Sequence, residues 1–228
     1  MSGPDADVLF VIPGLRWGVT SAVTTMWMIM IVLSGISWLA TRRLMTVPGR
    51  LQAAIELTVE GLLGFFASVL GPERARRALP LLASLFLFIL ASNYVSLIPG
   101  AGHVPGLAAP TANWGTTAGL ALVVFAVSLA YGLRVKGLGY FRRFIEPHVL
   151  APLMIPLGII EEFSRPFSLS LRLVANVFAG ETLIQSLLAV FPYALPVVPM
   201  LLETFFGFIQ AFIFAFLAAL YLNMATED

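Results

Sequence analysis

Between Arg77 and Arg134 the chain contains no Asp, Glu, Lys or Arg. A soluble domain carries charge on about a quarter of its residues, so a gap of this length is foreign to a water-facing fold. Two apolar runs fill it, residues 78–97 and 116–133. At about 1.5 Å per residue as a helix, each approaches the ~30 Å hydrocarbon thickness of a bilayer. The Pro/Gly-rich stretch IPGAGHVPGLAAPTANWG, residues 98–115, makes the turn between them. A neutral membrane hairpin over 78–133 is therefore expected. The whole chain agrees with it: 59% of 228 residues are hydrophobic, 11% are charged, and the mean hydropathy is +0.95.

The remaining segments extend the pattern to one all-α integral membrane domain. A first span covers residues 19–40 and stops at Arg42-Arg43. Residues 48–70 mix Arg50, Glu56 and Glu60 with apolar positions, and the two glutamates fall four apart on one helical face. That pattern predicts an amphipathic helix on the membrane surface. A basic stop, GPERARR, precedes the hairpin, and a basic linker follows it. Residues 150–191 read as one apolar helix of roughly 60 Å, too long to stand upright in the bilayer, so it must tilt, bend near Pro166 or lie partly in plane. A last helix runs from 200 to 223. The expectation is five transmembrane helices plus the surface helix. Ten of the thirteen basic residues lie in the segments around 42–50, 74–77 and 134–143. With those segments inside, the N-terminus is outside and the C-terminus cytoplasmic. The acidic start, Asp5 and Asp7, argues against a cleavable signal peptide.

Arg16 is expected outside, which leaves two basic residues that topology does not explain: Arg165 and Arg172, inside the fourth span. Each charge at membrane depth costs about 2.5–3.5 kcal/mol on insertion scales. The same span holds Glu161, Glu162 and Glu181, and the fifth holds Glu203 and Gln210. Helical geometry puts Ser168, Arg172, Ala175 and Ala179 on one stripe, with Arg165 and Asn176 beside it. Small residues around the cation would let another helix pass close to it. Glu181 points the opposite way, about 13 Å further along, while Glu203, Gln210 and Tyr221 share a face of the last helix. Plainer roles exist for each. Arg172 could form a structural ion pair with Glu181 or Glu203, Glu161 and Glu162 could be solvated at the interface, Arg165 could snorkel, and Gln210 could be an interhelical hydrogen bond. His103 and His148 read as loop residues.

Phosphate-loop, zinc-protease and serine-hydrolase motifs are missing from the sequence. With no cysteine there is neither a disulfide framework nor a thiolate metal site. Neither cofactor, resident metal nor nucleic acid is expected. A cluster of acid, base and amide without a nucleophile suggests ion movement.

The stretches EEFSRPFSLSLRLVANVFAGE and ETFFGFIQAFIFAFLAALYLNMA resemble subunit a of the F-type ATP synthase membrane sector. The matching features are Pro166, the Ser-Leu-Ser-Leu run, Arg172, Asn176, Ala179-Gly180-Glu181 and the run from Gln210. The resemblance implies a non-catalytic stator subunit of a H⁺-transporting two-sector complex, in a bacterial plasma (inner) membrane. Its last two helices would form a long tilted hairpin packed against a rotor ring. It implies that Arg172 is the essential arginine facing the c-ring, and that Asn176, Glu181, Glu203 and Gln210 line an ion path to the outside. Glu161, Glu162 and Ser168 are candidates for the inner half-channel. The peripheral-stalk b subunits, the c-ring, the lipid bilayer and, indirectly, the F1 sector are the implied partners. Glu203 stands where bacterial relatives often carry a histidine, so a Glu–Glu pair replaces Glu–His, and two such carboxylates would titrate as a coupled pair. Val174-Ala175 replaces a common Phe-Gly. A Na⁺-coupled version and a stand-alone secondary transporter built on the Arg/Glu cluster are the alternatives, although internal repeats typical of transporters are not evident.

Overall fold

A computed structural model describes residues 8–11, 18–42, 48–98, 106–137, 151–190 and 197–226. His103, His148, Arg16, Arg43, Arg142 and Arg143 lie outside the described residues. Six helices make up the fold: α1 (Ser21–Thr41), α2 (Arg50–Leu70), α3 (Pro72–Val95), α4 (Trp114–Lys136), α5 (Ala151–Val190) and α6 (Val197–Thr226). All six contain a stretch long and apolar enough to cross a membrane. In lipid a helix satisfies its backbone hydrogen bonds internally, which is why apolar segments of this length adopt it. The chain is thus an all-α, multi-pass integral membrane protein with one small addition. A two-stranded antiparallel ribbon, β1 (Val8–Val11) with β2 (Gly18–Thr20), precedes α1; nothing in the hydropathy pattern signals it.

Several boundaries differ from expectation: α4 covers Trp114–Lys136 against an expected 116–133, so Arg134 and Lys136 belong to its last turn and not to the linker, and α6 begins at Val197 and not at 200. Helix α3 begins at Pro72, so Arg74, Arg76 and Arg77 belong to its first turns and not to a preceding loop. Gly71, at φ +78°, lets α2 end and α3 begin within one residue, and proline at the first helical position suits that start. Helix α6 extends to Thr226, beyond the expected end at 223. Helix α5 runs unbroken for 40 residues with Pro156 and Pro166 inside it.

The core sits where α3, α4, α5 and α6 meet. Leu82 and Ile89 of α3, Val124 of α4, Leu169 and Leu173 of α5 and Phe214 of α6 are buried together. Helix α6 contributes Ala211, Ala215, Ala218 and Ala219, all fully buried, whose small side chains allow close helix approach. Helices α3 and α6 run antiparallel, tied at one end by Arg74 Nη1 donating to Thr226 Oγ1 (3.1 Å) and near the other by Asn93 Nδ2 donating to the Gly207 carbonyl (3.0 Å). Helix α1 is peripheral, held at its start by Ala108 N–H donating to Thr25 Oγ1 (3.1 Å) and Gly106 N–H to Ser21 Oγ (3.2 Å). Helix α2 buries only Leu62, Phe66 and Leu70, in its C-terminal half, where the Phe65 ring lies 4.4 Å from that of Phe212 at a tilt of 47°. Arg50, Glu56 and Glu60 are exposed.

Candidate functional site

Helices α5 and α6 are antiparallel, and two polar clusters mark their register. In the first, Glu203 lies against Gly180. A methyl group added at Gly180 would sit 2.9 Å from Glu203 Cδ and 3.0 Å from its Oε1, so a side chain there would require the carboxylate to shift. Ser96 Oγ donates to Glu203 Oε1 at 2.8 Å. Glu203 and Gln210 are buried although polar. With Gly207 they form the stripe of α6 that faces α3, where Asn93 bonds the Gly207 carbonyl. Glu181, half-buried, is within electrostatic reach of Glu203.

Four buried polar atoms in this seam have no hydrogen-bond partner among the described residues: Ser92 Oγ, Asn93 Oδ1, Glu203 Oε2 and Gln210 Nε2. Each such atom costs about 1–3 kcal/mol. Buried unpaired groups are rare in folded proteins, and four in one seam set it apart from a packing interface.

The second cluster lies at the far end of α6. Arg165 pairs with Glu161 at 2.6 Å and Glu162 at 3.8 Å. Its guanidinium lies 5.7 Å from the centre of the Tyr221 ring, within the range of a cation–π attraction. Glu162, Arg165 and Tyr221 line a pocket together with Ser128 and Phe125 of α4. Arg165 does not snorkel free, because two carboxylates and a ring hold it at 17% side-chain exposure. The Glu161 side chain is 67% exposed and that of Glu162 14%. Ser168 joins neither cluster; it is exposed.

Arg172 stands between the two. Arg165 beside Tyr221 and Gly180 beside Glu203 bracket it, about 10 Å away on one side and about 12 Å on the other at helical rise. Ser168, Arg172, Ala175 and Ala179 are all exposed, so the small-residue stripe forms an outer face of α5. Among the described residues no carboxylate pairs with Arg172. The expected alternative of an internal ion pair to Glu181 or Glu203 is therefore not formed. Asn176, half-buried, lies one turn on toward the Glu203 cluster.

A family model described as the ATP synthase A chain matches residues 23–223. The chain belongs to the ATP synthase A chain family. It is 41% identical to ATP synthase subunit a 1 of Syntrophotalea carbinolica over 93% of this chain and 88% of that protein. It is 39% identical to ATP synthase subunit a of Moorella thermoacetica over 89% and 88%, and 35% identical to that of Gloeobacter violaceus over 90% and 82%.

Helix α3 is what the sequence reading left out of the site. Ser92, Asn93 and Ser96 bring its polar face to Glu203 and Gln210. The signal was present: three polar side chains within five residues of an otherwise apolar span. Gly180 was noted only as part of a motif, and its role as the space for Glu203 appears when α5 and α6 are packed.

Proposed function

We propose that this chain is the stator subunit of an F-type ATP synthase, in which Arg172 and two offset half-channels couple ion flow to rotation of the c-ring. The family places it in the membrane sector of an ATP synthase and implies ion translocation there. The observation that carries the reading is Arg172 itself. A cation that costs kcal/mol to hold in a membrane has no carboxylate partner among the described residues and sits on an exposed stripe of small residues. Such a surface suits a rotor helix that brings a carboxylate past it.

The mechanism follows from electrostatics. A carboxylate facing lipid must be neutral, since the ion is too costly there. Opposite Arg172 its charged form gains roughly 4 kcal/mol at 4 Å and an effective dielectric near 20, so it releases its proton on arrival. It must take another before it re-enters lipid. Arginine suits this better than lysine because it does not lose its own proton.

Entry and exit must lie on opposite sides. Glu203, Glu181, Gln210 and Asn176, joined by Ser92, Asn93 and Ser96, form the outer half-channel, and their unpaired polar atoms suit a file of water. Glu161, Glu162 and Ser168 belong to the inner one, with Arg165 and Tyr221 at its wall. The membrane potential contributes about 2.3 kcal/mol per charge per 100 mV.

Helix α2 lies at the interface and not across the bilayer in this reading. Its charges are exposed and its N-terminal half packs on almost nothing, which leaves five spans, an outside N-terminus and a cytoplasmic C-terminus in a bacterial plasma membrane. The partners are the c-ring and the peripheral-stalk b subunits, with the F1 sector engaged indirectly.

The test is ATP-driven proton pumping in inverted membrane vesicles. Replacing Arg172 by Ala abolishes pumping while the complex assembles in normal amount. Normal pumping in that variant, or loss of the assembled complex alone, removes the proposal. Running the same assay with and without Na⁺ separates a H⁺-coupled from a Na⁺-coupled subunit.

A further inference from the structure

A cavity of about 140 Å³ opens between the ends of α3, α4 and α6, at the junction of α2 and α3; it lies at the same end of α6 as the Arg165–Tyr221 cluster but shares no lining residue with it. Two guanidinium groups line it, those of Arg74 and Arg77, with no carboxylate among the lining residues. Arg74 is steadied at the rim by Asn223 Oδ1 (3.4 Å) and Thr226 Oγ1 (3.1 Å), both neutral acceptors, and no carboxylate among the described residues pairs with it. Arg77 has no hydrogen-bond or ion-pair partner among the described residues. The Tyr131 side chain lines the same space.

The other walls are apolar: Leu70, Val135 and Leu222. Val135 is 59% exposed and forms an outer lip. Further positive charge crowds these helix ends, from Arg76 of α3 and Arg134 and Lys136 of α4.

A free anion would need only the arginines. A solvated basic rim would need no cavity and no apolar wall. A molecule with an anionic phosphate at one end and hydrocarbon at the other uses both. Guanidinium matches phosphate through paired N–H donors, and basic pockets between membrane helices suit anionic headgroups. We infer that this cavity is a binding site for the headgroup of an anionic phospholipid, with Arg74 and Arg77 on the phosphate and Val135 along the first methylenes of an acyl chain. The bound lipid would join the α2–α3 turn to the ends of α4 and α6. The inference does not depend on the ion path.

The test uses the full-length chain, purified with its native complex and reconstituted in phosphatidylcholine vesicles doped with phosphatidylglycerol. A trace of the phosphatidylglycerol carries a photoreactive acyl chain, and mass spectrometry reads the adduct on the peptide that bears Val135. R77Q removes a guanidinium that would bond the phosphate directly, so it should lower the adduct about tenfold, and R74Q/R77Q further. R77K should retain most of it. R134Q, on the same helix end but outside the cavity, should leave it near the starting level, and photoreactive phosphatidylcholine should label weakly. Three results overturn the inference: equal labelling by the two lipids, equal loss in R134Q and R77Q, or suppression by millimolar inorganic phosphate, which would mark a free-anion site. The recovered amount of complex separates a folding defect in R74Q/R77Q from lost binding, and R77Q removes no described contact.

Discussion

At the scale of the residue, the tightest constraint is between Gly180 and Glu203. The carboxylate occupies the place where a side chain at 180 would be, 2.9 Å from the methyl group that alanine would add. G180A must push Glu203 aside and loosen its hydrogen bond from Ser96. If Glu203 carries protons, a displacement near 1 Å is enough to lower coupled transport on the order of tenfold or more. Shortening the neighbour relieves the clash, because aspartate at 203 withdraws its carboxylate by one methylene. G180A/E203D should therefore pump faster than G180A alone, as read by ATP-driven dye quenching in inverted vesicles. Equal activity in the two variants would mean that the Gly180 contact is incidental.

At the scale of the element, α5 has two unlike faces. Leu169, Leu173 and Val177 are buried against the bundle, while Ser168, Arg172, Ala175 and Ala179 face outward. A helix left to lipid would be expected to carry large apolar side chains on that outer face, as α1 does with Ile31, Trp38 and Leu39. Small residues there fit a moving protein neighbour. The absence of native cysteine makes the stripe easy to probe. S168C, A175C and A179C should react with a thiol reagent in the isolated subunit and be shielded in the assembled complex. A cysteine in place of Ile31, on an exposed face of α1, should change far less. Full reactivity of the stripe in the complex would separate it from any rotor.

At the scale of the molecule, the number of spans decides which polar cluster opens to which side. Five spans put the termini on opposite sides; a crossing α2 makes six and puts them together. Single cysteines at position 3 and position 226, labelled with an impermeant maleimide in intact cells and in inverted vesicles, distinguish the two. Labelling of position 3 only from outside and of position 226 only from inside is expected. Labelling of both from one side would place α2 across the bilayer and remove the assignment of outer and inner half-channels. The two clusters themselves lie about 27 Å apart along α6, from Glu203 to Tyr221 at helical rise, close to the full hydrocarbon thickness. Arg172 is bracketed between them, so the molecule has the layout that two offset paths require.

The sequence by itself determined the class of fold, the long helices and the exceptional status of Arg172. Those rest on local physics: an apolar segment in lipid must satisfy its own backbone, which makes length and charge sufficient to find helices, and a fixed turn angle assigns Arg172 its stripe. Helix α5 runs over 151–190 against an expected 150–191 for that reason. Only the tertiary structure decided which faces meet. Periodicity cannot choose between neighbours in lipid, where every helix is apolar and contacts depend on small residues and a few polar pairs. That is why Ser92, Asn93 and Ser96 joined Glu203 only when α3 packed on α6, why Tyr221 of α6 came to face Arg165, whose pairs with Glu161 and Glu162 are local to α5, and why Arg172 proved to have no carboxylate partner among the described residues.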